Sequence, residues 1–359
     1  MTSRRQFATL EEIHRVALTN LDDVIVDYLE GGAGDETTIR RNRSAFEEWE
    51  FQPRVMSGLS SPSTATTFLG LPLSVPILTA PFGSDTMFHE DGQKAVARAN
   101  QAMGTVSMVP EAGSFSYERV AAAAPAAARI AQLHPAGSEE NFVRLLTRIS
   151  AAGYSAVCVT VDSPTGGWRE RNRRNALEFD SAIIGGNYNP ADREQMEAAL
   201  GQLFTHVDHV WSWRKLSSLL EDFELPWIAK GITTVSDARA AVDAGASAII
   251  VSNHGGRQLD DVPASLPALV EIRSELGTQV DIALDSGIRR GSDIIKAVAL
   301  GATAVVLGRS AVYGLTADGQ RGVERTIELL TEEMITVLTL LGRGGITDLT
   351  HEAIRRVPR

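Results

Sequence analysis

Residues 244–254 read AGASAIIVSNH, in which the end of a predicted helix meets a glycine turn, a continuous apolar run and a histidine. The same order recurs as AGYSAVCVTVD at residues 152–162 and as LGATAVVLGRS at residues 300–310. A continuous apolar run, without alternation, is typical of a parallel strand that is buried on both faces. The three copies therefore indicate repeated units of helix, turn and parallel strand.

Eight such apolar runs follow one another from about residue 75, with amphipathic helical segments between them. Eight βα units predict an α/β fold of the TIM (β/α)8 barrel type. The alternative is a doubly wound open sheet, which usually has a GxGxxG turn after its first strand, where this chain has APFGSD. The runs are VPILTAP (75–81), GTVSMVP (104–110), ARIAQLH (128–134), SAVCVTVD (155–162), PWIAKG (226–231), SAIIVSNH (247–254), VDIALDSG (280–287) and AVVLGRS (304–310).

Two further segments complete the predicted organisation. Residues 1–70 are predicted to form an N-terminal helical extension with a linker, and residues 75–359 the barrel. Residues 165–210, which follow the fourth strand, are rich in Gly, Asn, Asp and Arg and predict a long active-site loop or lid. We therefore predict a single domain over residues 1–359.

The overall charge and the absence of long apolar segments limit the class of partner. A formal net charge of −11 argues against a nucleic-acid groove, which needs a basic face. The stretch MTSRRQFATLEEIHR at the N-terminus lacks the apolar core of a secretory signal, and no segment approaches the ~18 uninterrupted apolar residues of a membrane span. We expect a cytoplasmic protein whose partners are neither nucleic acid nor membrane.

The single cysteine and the histidines outside the predicted strand ends show no pattern typical of a nucleophile or a metal site. Cys158 lies in the apolar run SAVCVTV, so we predict a small buried hydrophobe rather than a nucleophile. His206 and His209, in FTHVDHV, have no carboxylate partner at metal spacing, and the chain has no HExxH motif. We predict that the protein has no metal site.

Ionisable residues dominate the ends of the eight predicted strands. In a TIM barrel these ends meet at one face, where the active site lies. A barrel with a purely structural role would need no such ring, so the pattern predicts chemistry. The strand ends are residues 81–83, Pro110, His134, Asp162, Lys230, His254, Asp285 and Arg309.

Glycine-containing turns at the last two strands predict a phosphate site. DSGIRRGSD (285–293) and LGRS (307–310) stand where this fold commonly binds phosphate through backbone N–H groups and a helix N-terminus. Arg289 or Arg309 could add bidentate contacts. The alternative is a pair of ordinary turns with surface arginines.

Three other charged residues have more than one interpretation. Lys230 could be a Schiff-base nucleophile, a fixed cation beside an electron-rich cofactor, or half of an ion pair. Asp162 could orient His254 and stabilise its protonated form, and the absence of a GxSxG motif disfavours a hydrolase. Arg169, in GGWRERNRRN, is either a substrate anchor or part of a solvated face.

Several of these motifs occur together, in the same order, in one known family. SNHGGRQLD (252–260) is the most specific of them, and VDYLEGGAGDE (26–36), DSGIRRG and LGR accompany it. With these motifs the chain resembles the FMN-dependent α-hydroxy-acid oxidases and dehydrogenases over nearly its whole length. The resemblance implies a flavoprotein that oxidises an L-2-hydroxy acid to the 2-oxo acid and passes its electrons to O2 or another acceptor.

The resemblance also implies roles for the matching residues. His254 would be the base that takes a proton from the α-hydroxyl or the α-carbon, and Asp162 would stabilise its imidazolium. The remaining implied catalytic and substrate-binding residues are Tyr28, Arg169 and Arg257, with His134 in the substrate pocket. The implied FMN contacts are Ala80, Pro81, Phe82, Gly83, Gln132, Thr160, Lys230, Ser252, Asp285, Ser286, Gly287, Arg289, Gly308 and Arg309. A homotetramer and a small carboxylate substrate are implied as well.

The chain departs from the family pattern in the predicted pocket wall. His134, in QLHP, replaces a tyrosine, Pro110 and Glu111 replace a serine-rich turn, and Trp168 replaces an arginine. These changes predict a substrate other than glycolate or lactate, with Glu111 meeting a basic group or His134 acting as a second acid–base residue. The alternative functions are oxidation of an amino-acid-like or natural-product substrate, and a non-catalytic flavin-binding barrel, which the intact histidine and arginine set disfavours.

Overall fold

The structure is a computed structural model that describes residues 7–189, 193–204 and 210–358. Its strands are β1 (Trp49–Phe51), β2 (Thr66–Phe68), β3 (Leu71–Leu73), β4 (Ile77–Thr79), β5 (Val106–Val109), β6 (Arg129–Leu133), β7 (Ala156–Thr160), β8 (Trp227–Ile232), β9 (Ala248–Val251), β10 (Asp281–Leu284), β11 (Ala304–Leu307) and β12 (Ile354–Arg356). Strands β4 to β11 form one closed parallel barrel in chain order. All the predicted apolar runs form barrel strands, which confirms the TIM barrel.

Helices surround this barrel. They are α1 (Leu10–Thr19), α2 (Asp23–Glu30), α3 (Thr37–Glu47), α4 (Gly92–Met103), α5 (Tyr117–Ala123), α6 (Glu139–Ala151), α7 (Glu170–Arg174), α8 (Ser181–Ile184), α9 (Arg193–Phe204), α10 (Trp213–Leu220), α11 (Val235–Asp243), α12 (Ser265–Leu276), α13 (Gly291–Ala299) and α14 (Arg309–Leu341). Short 3₁₀ helices cover Asp85–Met87, Ile346–Asp348 and His351–Ala353. None of the described helices combines the length and the apolar character that crossing a bilayer requires.

The barrel strands are apolar throughout because both of their faces are covered. In β9 all four residues, AIIV, are buried. Alternate residues such as Ile250 and Cys158 fill the barrel interior, while Ile249 and Val251 pack under the helices. Cys158 is fully buried, and this burial raises the pKa of its thiol to about 12. The prediction of a buried, unreactive cysteine is confirmed.

The hairpin β2–β3 closes the N-terminal end of the barrel. Phe68 and Leu73 belong to the same apolar cluster as the interior strand residues. The backbone N–H of Leu69 donates to Asp281 Oδ2 at 2.7 Å, where β10 begins. Only the opposite end, at the carboxyl ends of the strands, therefore stays open for a ligand.

The N-terminal segment has helices followed by non-helical chain, and part of it lies over the open end of the barrel. It contains α1 to α3, but β1 pairs antiparallel with β12, a partner more than 300 residues away that no local pattern indicates. Asn42 of α3 exchanges side-chain hydrogen bonds of 2.8 Å with Asn253, which follows β9. This pairing holds the segment against the face where an active site is expected.

The predicted long loop at 165–210 includes three helices that the sequence pattern did not indicate. It contains α7, α8 and α9, and the side chain of Asp180 caps α8 by accepting from the Ala182 N–H at 2.8 Å. Such capped short helices lack the apolar periodicity that a sequence pattern needs. His206 and His209 lie outside the described residues.

Candidate active site

A cavity of about 230 Å³ opens at the carboxyl ends of the barrel strands. Nearly all of the predicted site residues line it, and the exceptions, Asp162 and Ser252, lie behind it as hydrogen-bond partners of His254 and Lys230. The lining residues that the sequence predicts are Tyr28, Ala80, Pro81, Phe82, Gly83, Gln132, His134, Thr160, Arg169, Lys230, His254, Arg257, Asp285, Ser286, Gly287, Arg289, Gly308 and Arg309.

His254 and Asp162 form a histidine–carboxylate pair. The Nδ1 atom of His254 lies 3.2 Å from Asp162 Oδ1. Burial and the nearby Lys230 ammonium lower the pKa of His254 below its ordinary value, and the charge of Asp162 opposes this shift. The ring is therefore neutral at pH 7, with Nδ1 protonated toward the carboxylate and Nε2 available as a base.

An unusual backbone turn presents this ring to the cavity. His254 has a φ of 58°, and Gly255 and Gly256 follow it in the same left-handed region. The His254 N–H donates to Ser252 Oγ at 3.0 Å, which holds the turn. A side chain at Gly256 would also collide with Ile39, since an added Cβ would lie 2.7 Å from its Cγ1 atom. The glycines of the sequence motif are thus required by geometry.

Two guanidinium groups share the cavity without a carboxylate partner. Arg169 donates from Nε to the backbone oxygen of Arg257 at 2.9 Å, and Arg257 donates to the oxygen of Tyr28 at 2.6 Å. Neither arginine forms an ion pair within the described residues. Burial and the charge of Arg257 lower the pKa of Arg169, so a bound anion would stabilise its charged form. The surface interpretation of Arg169 is wrong, because its side chain reaches the cavity.

Lys230 is half of a buried ion pair at the cavity wall. Its Nζ lies 3.5 Å from Asp285 Oδ2 and 3.3 Å from Ser252 Oγ. Burial alone would lower the pKa of Lys230, but the carboxylates of Asp285 and Asp162 raise it above its ordinary value. A raised pKa favours the charged ammonium, which fits a fixed cation or an ion pair better than a Schiff-base nucleophile, since that role needs a neutral amine.

The two predicted phosphate turns meet at one end of the same cavity. Gly308 precedes α14, and a Cβ atom built on it would meet no protein atom within 4 Å. Arg289 lies over the Tyr313 ring at 5.3 Å and has no ion pair within the described residues. The guanidinium of Arg309 instead donates to backbone oxygens, including that of Leu29 at 2.9 Å. Arg309 therefore lines this end of the cavity with its guanidinium held by backbone oxygens, and its contact with a phosphate stays a prediction.

A second histidine–carboxylate pair lies in the wall that departs from the family pattern. Glu111 Oε2 accepts from the His134 backbone N–H at 2.7 Å and lies 3.1 Å from His134 Nδ1. The Tyr188 hydroxyl donates to Glu111 Oε1 at 2.6 Å. Both carboxylate oxygens thus accept hydrogen bonds from the protein, and the side chain is 3% exposed. A contact between Glu111 and a basic group of the substrate stays a prediction. Tyr188 was missed because nothing in IGGNYNP marks it.

Aromatic rings form another part of the wall, and two of them, Phe88 and Phe179, were not predicted. Phe88 stacks with Tyr28 at 6.2 Å, and Phe82 meets Phe88 edge-on at 6.3 Å. Phe179, from the insertion, meets Tyr28 at 5.3 Å. Phe88 follows the first barrel strand in GSDTMFHE, where an isolated aromatic residue cannot be distinguished from core packing. The cavity therefore has an apolar side next to its arginines.

Comparison with known proteins gives a consistent result. The sequence model described as FMN-dependent dehydrogenase matches residues 17–356. Glycolate oxidase 3 of Arabidopsis thaliana is 34% identical over 98% of this chain and 96% of its own length, and L-lactate oxidase of a Nostoc species is 37% identical over 97% and 98%. The crystal structure of mandelate oxidase with (S)-2-phenylpropionate has a TM-score of 0.88 and 33% identity, covering 98% of this chain and 99% of that one.

Proposed function

The chain belongs to the family of FMN-dependent dehydrogenases, and on that premise we propose that it oxidises an (S)-2-hydroxy acid to the 2-oxo acid. The observation that carries this proposal is the shared cavity of the His254–Asp162 pair and the unpaired guanidiniums of Arg169 and Arg257. Oxidation of a 2-hydroxy acid requires a base that takes up its proton and a cationic site that binds its carboxylate. The relatives named as glycolate and L-lactate oxidases support the same substrate class.

FMN is the cofactor of this family, and the cavity has features that fit it. The Thr160 hydroxyl is buried and has no hydrogen-bond partner within the described residues. Gly308 leaves open space at a helix N-terminus, and Arg289 offers an unpaired cation there. We assign the ring to the wall of residues 80–83 with Gln132, Thr160 and Lys230, and the ribityl phosphate to Asp285, Ser286, Gly287, Arg289, Gly308 and Arg309. FMN supplies the acceptor for the two electrons that leave the substrate.

The protein's own residues bind the substrate and move its proton. Arg169 and Arg257 hold the carboxylate, and the Tyr28 hydroxyl donates a hydrogen bond to it. His254 accepts the released proton at Nε2, which its lowered pKa leaves unprotonated beforehand. Asp162 then stabilises the imidazolium through Nδ1. Ser252 positions Lys230, which supplies a fixed positive charge to the wall assigned to the flavin ring.

The test is anaerobic mixing of the purified, FMN-loaded protein with pairs of (S)- and (R)-2-hydroxy acids. We expect the flavin absorbance to be bleached by (S)-enantiomers alone, with formation of the 2-oxo acid. Oxygen consumption in the aerobic reaction then separates an oxidase from an enzyme that needs another acceptor. A yellow protein that no 2-hydroxy acid bleaches would contradict the proposal.

We further propose that the protein is a homotetramer, as the family resemblance implies. Support comes from an exposed apolar cluster at the end of α14, where the Arg54 N–H donates to Leu341 O at 3.1 Å. Light scattering measures the mass of the assembly, and replacing Met56 by Asp should lower it. The cluster consists of Val55, Met56, Leu59 and Leu340.

We also propose that the N-terminal segment, the barrel and the insertion act as one domain in the cytoplasm. Arg257 and Arg309 bind backbone oxygens of residues 28–31, which ties the segment to the barrel tips. Limited proteolysis that releases no stable barrel fragment would support one domain. Cell fractionation with immunodetection tests the location.

A further inference from the structure

Gln258, in the motif SNHGGRQLD, lines the cavity but has no role in the oxidation proposed above. It follows β9, and its side chain contacts the chain that follows β7. With the described residues it forms four hydrogen bonds, as many as the polar atoms of a side-chain amide offer. A polar side chain with every contact satisfied at the cavity wall needs its own explanation.

The partners of Gln258 determine which way its amide group faces. Nε2 donates to the carbonyl oxygens of Asp162 at 3.2 Å and Thr165 at 2.9 Å. Because a carbonyl oxygen can only accept, this end of the amide must be the nitrogen. Oε1 accepts from the Gly167 N–H at 3.2 Å and from Arg169 Nη2 at 3.0 Å. A reversed amide would lose all of these bonds, so the oxygen is fixed toward Arg169.

Arg169 is thereby held at two of its three nitrogen atoms by uncharged acceptors. Nε donates to the Arg257 oxygen at 2.9 Å and Nη2 to Gln258, whereas Nη1 has no hydrogen bond to the described residues. An acidic side chain in place of Gln258 would orient the guanidinium equally well, but it would also neutralise its charge. The amide orients the cation and leaves its charge available for an anion.

The same amide links the two parts of the site. Asp162, whose carbonyl accepts from Gln258, is the carboxylate partner of His254 at 3.2 Å. Between Asp162 and Arg169 the chain passes so close to the motif that a Cβ atom on Gly167 would lie 2.6 Å from the Gln258 backbone oxygen. The segment that carries both residues is therefore fixed against the motif that carries the base.

We propose that Gln258 is a positioning residue that orients Arg169 toward the substrate carboxylate while leaving the guanidinium charge unpaired. This inference rests on the proposed function, because it concerns how the same site binds its substrate. Gln258 uses its hydrogen-bonding groups within the protein, so it acts through Arg169 rather than on the substrate. Loss of Gln258 should therefore weaken the binding of anions and spare neutral molecules of the same shape.

The experiment measures the binding of pyruvate, the smallest 2-oxo acid with a carbon side chain, and of its neutral amide, 2-oxopropanamide. Both are titrated into the oxidised, FMN-loaded protein, and binding is read from the flavin absorbance. In Gln258→Met we expect the dissociation constant of pyruvate to rise roughly 10-fold, the loss of one hydrogen bond to a charged group. The dissociation constant of the amide should stay within about 2-fold of the wild type.

Gln258→Glu separates orientation from charge. It keeps the oxygen that faces Arg169 but places a negative charge there, so pyruvate binding should weaken at least as much as in Gln258→Met. The amide should again bind almost as in the wild type. This substitution also keeps the shape of the side chain, so it decides the question if Gln258→Met does not fold.

A double-mutant cycle and a matched control show whether the effect passes through Arg169. In the Arg169→Met background, Gln258→Met should change the pyruvate dissociation constant by less than about 2-fold, because the group that it orients is gone. Gln320, on α14, accepts from Arg98 Nε at 2.8 Å in a similar contact away from the cavity. Gln320→Met should leave the binding of both molecules unchanged.

The inference and the proposed function fail in different ways. Equal weakening of pyruvate and its amide would show that Gln258 only supports the fold, and would overturn the inference. Unchanged pyruvate binding in Gln258→Glu, additive effects in the cycle, or a wild type that binds both molecules equally would overturn it as well. Absence of flavin reduction by every 2-hydroxy acid would overturn the proposed function instead, since the binding measurements need no turnover.

Discussion

The Nε atom of Arg169 donates to the backbone oxygen of Arg257 at 2.9 Å, so two residues from different strand ends bring their guanidinium groups to one cavity. Each guanidinium is held mainly by backbone or amide oxygens. These neutral acceptors orient the groups without neutralising them. The net positive charge that remains is the strongest indication of an anionic substrate.

Replacing Arg169 by methionine should weaken substrate binding far more than it slows the bound substrate. A hydrogen bond to a charged group contributes about 1.5–3 kcal/mol, so we expect KM to rise roughly 10-fold to 100-fold. Arg169→Lys should lie between methionine and the wild type, because it keeps the charge but loses the planar fork. Arg174→Met, at an exposed position in α7, is the control. Steady-state kinetics with one hydroxy acid measure this effect. Equal KM values for Arg169→Met and the wild type would contradict a role of Arg169 in binding the substrate carboxylate.

The acid side of the pH profile should report His254. Its pKa lies below the ordinary value of 6.5, and the unprotonated ring is the active form. Hence kcat/KM should fall only when the pH drops through that lowered pKa. Asp162→Asn removes the carboxylate charge that opposes the lowering of the His254 pKa. The acid limb of the kcat/KM profile should therefore move to still lower pH.

The same substitution should also lower the maximal rate, by about 100-fold or more, since the imidazolium loses its partner. Asp237→Asn, on the outer helix α11, is the control. The profile is measured as kcat/KM from pH 5 to pH 9, roughly the range in which histidine titrates. If the acid limb of the profile moved to higher pH in Asp162→Asn, the assignment of this limb to His254 would be contradicted.

Lys230 should have separable effects on stability and on flavin reduction. Lys230→Met leaves Asp285 as a buried carboxylate without its ion partner, which should cost about 3–5 kcal/mol in the free energy of unfolding. Adding Asp285→Asn should recover most of that loss. Reduction by substrate should stay slow in both variants, because the fixed positive charge is gone. Chemical denaturation and stopped-flow absorbance measure the two effects, and recovery of the reduction rate in the double variant would contradict the role of the charge.

The barrel was predictable because every strand is buried on both faces and is therefore a continuous apolar run. The same fold rule places the ends of those runs on one face, so His254, Asp162 and Lys230 could be grouped without coordinates. Contacts between residues that are distant in the sequence could not be predicted. Tyr188 and Glu111 are 77 positions apart and meet only because the insertion folds over β5.

Arg309 shows a second limit of sequence reasoning. Its motif correctly predicts a residue at the cavity, but a side chain's direction depends on the acceptors that surround it. Here the carbonyl oxygens of Leu29 and Gly31 bind the guanidinium. They belong to an N-terminal segment whose position relative to the barrel cannot be predicted from local periodicity.

Arg289 has no ion pair within the described residues, so we expect its charge to contribute to holding the FMN phosphate. Arg289→Met should raise the dissociation constant for FMN roughly 10-fold to 100-fold, the loss expected for one charge-assisted contact. It should leave riboflavin, which lacks the phosphate, almost unaffected. The neighbouring Arg290 pairs with Glu333 at 3.0 Å and is 54% exposed, so Arg290→Met is a matched control. Flavin fluorescence quenching with the apoprotein measures both ligands. Equal weakening of FMN and riboflavin by Arg289→Met would show that the residue supports the fold of the turn rather than the phosphate.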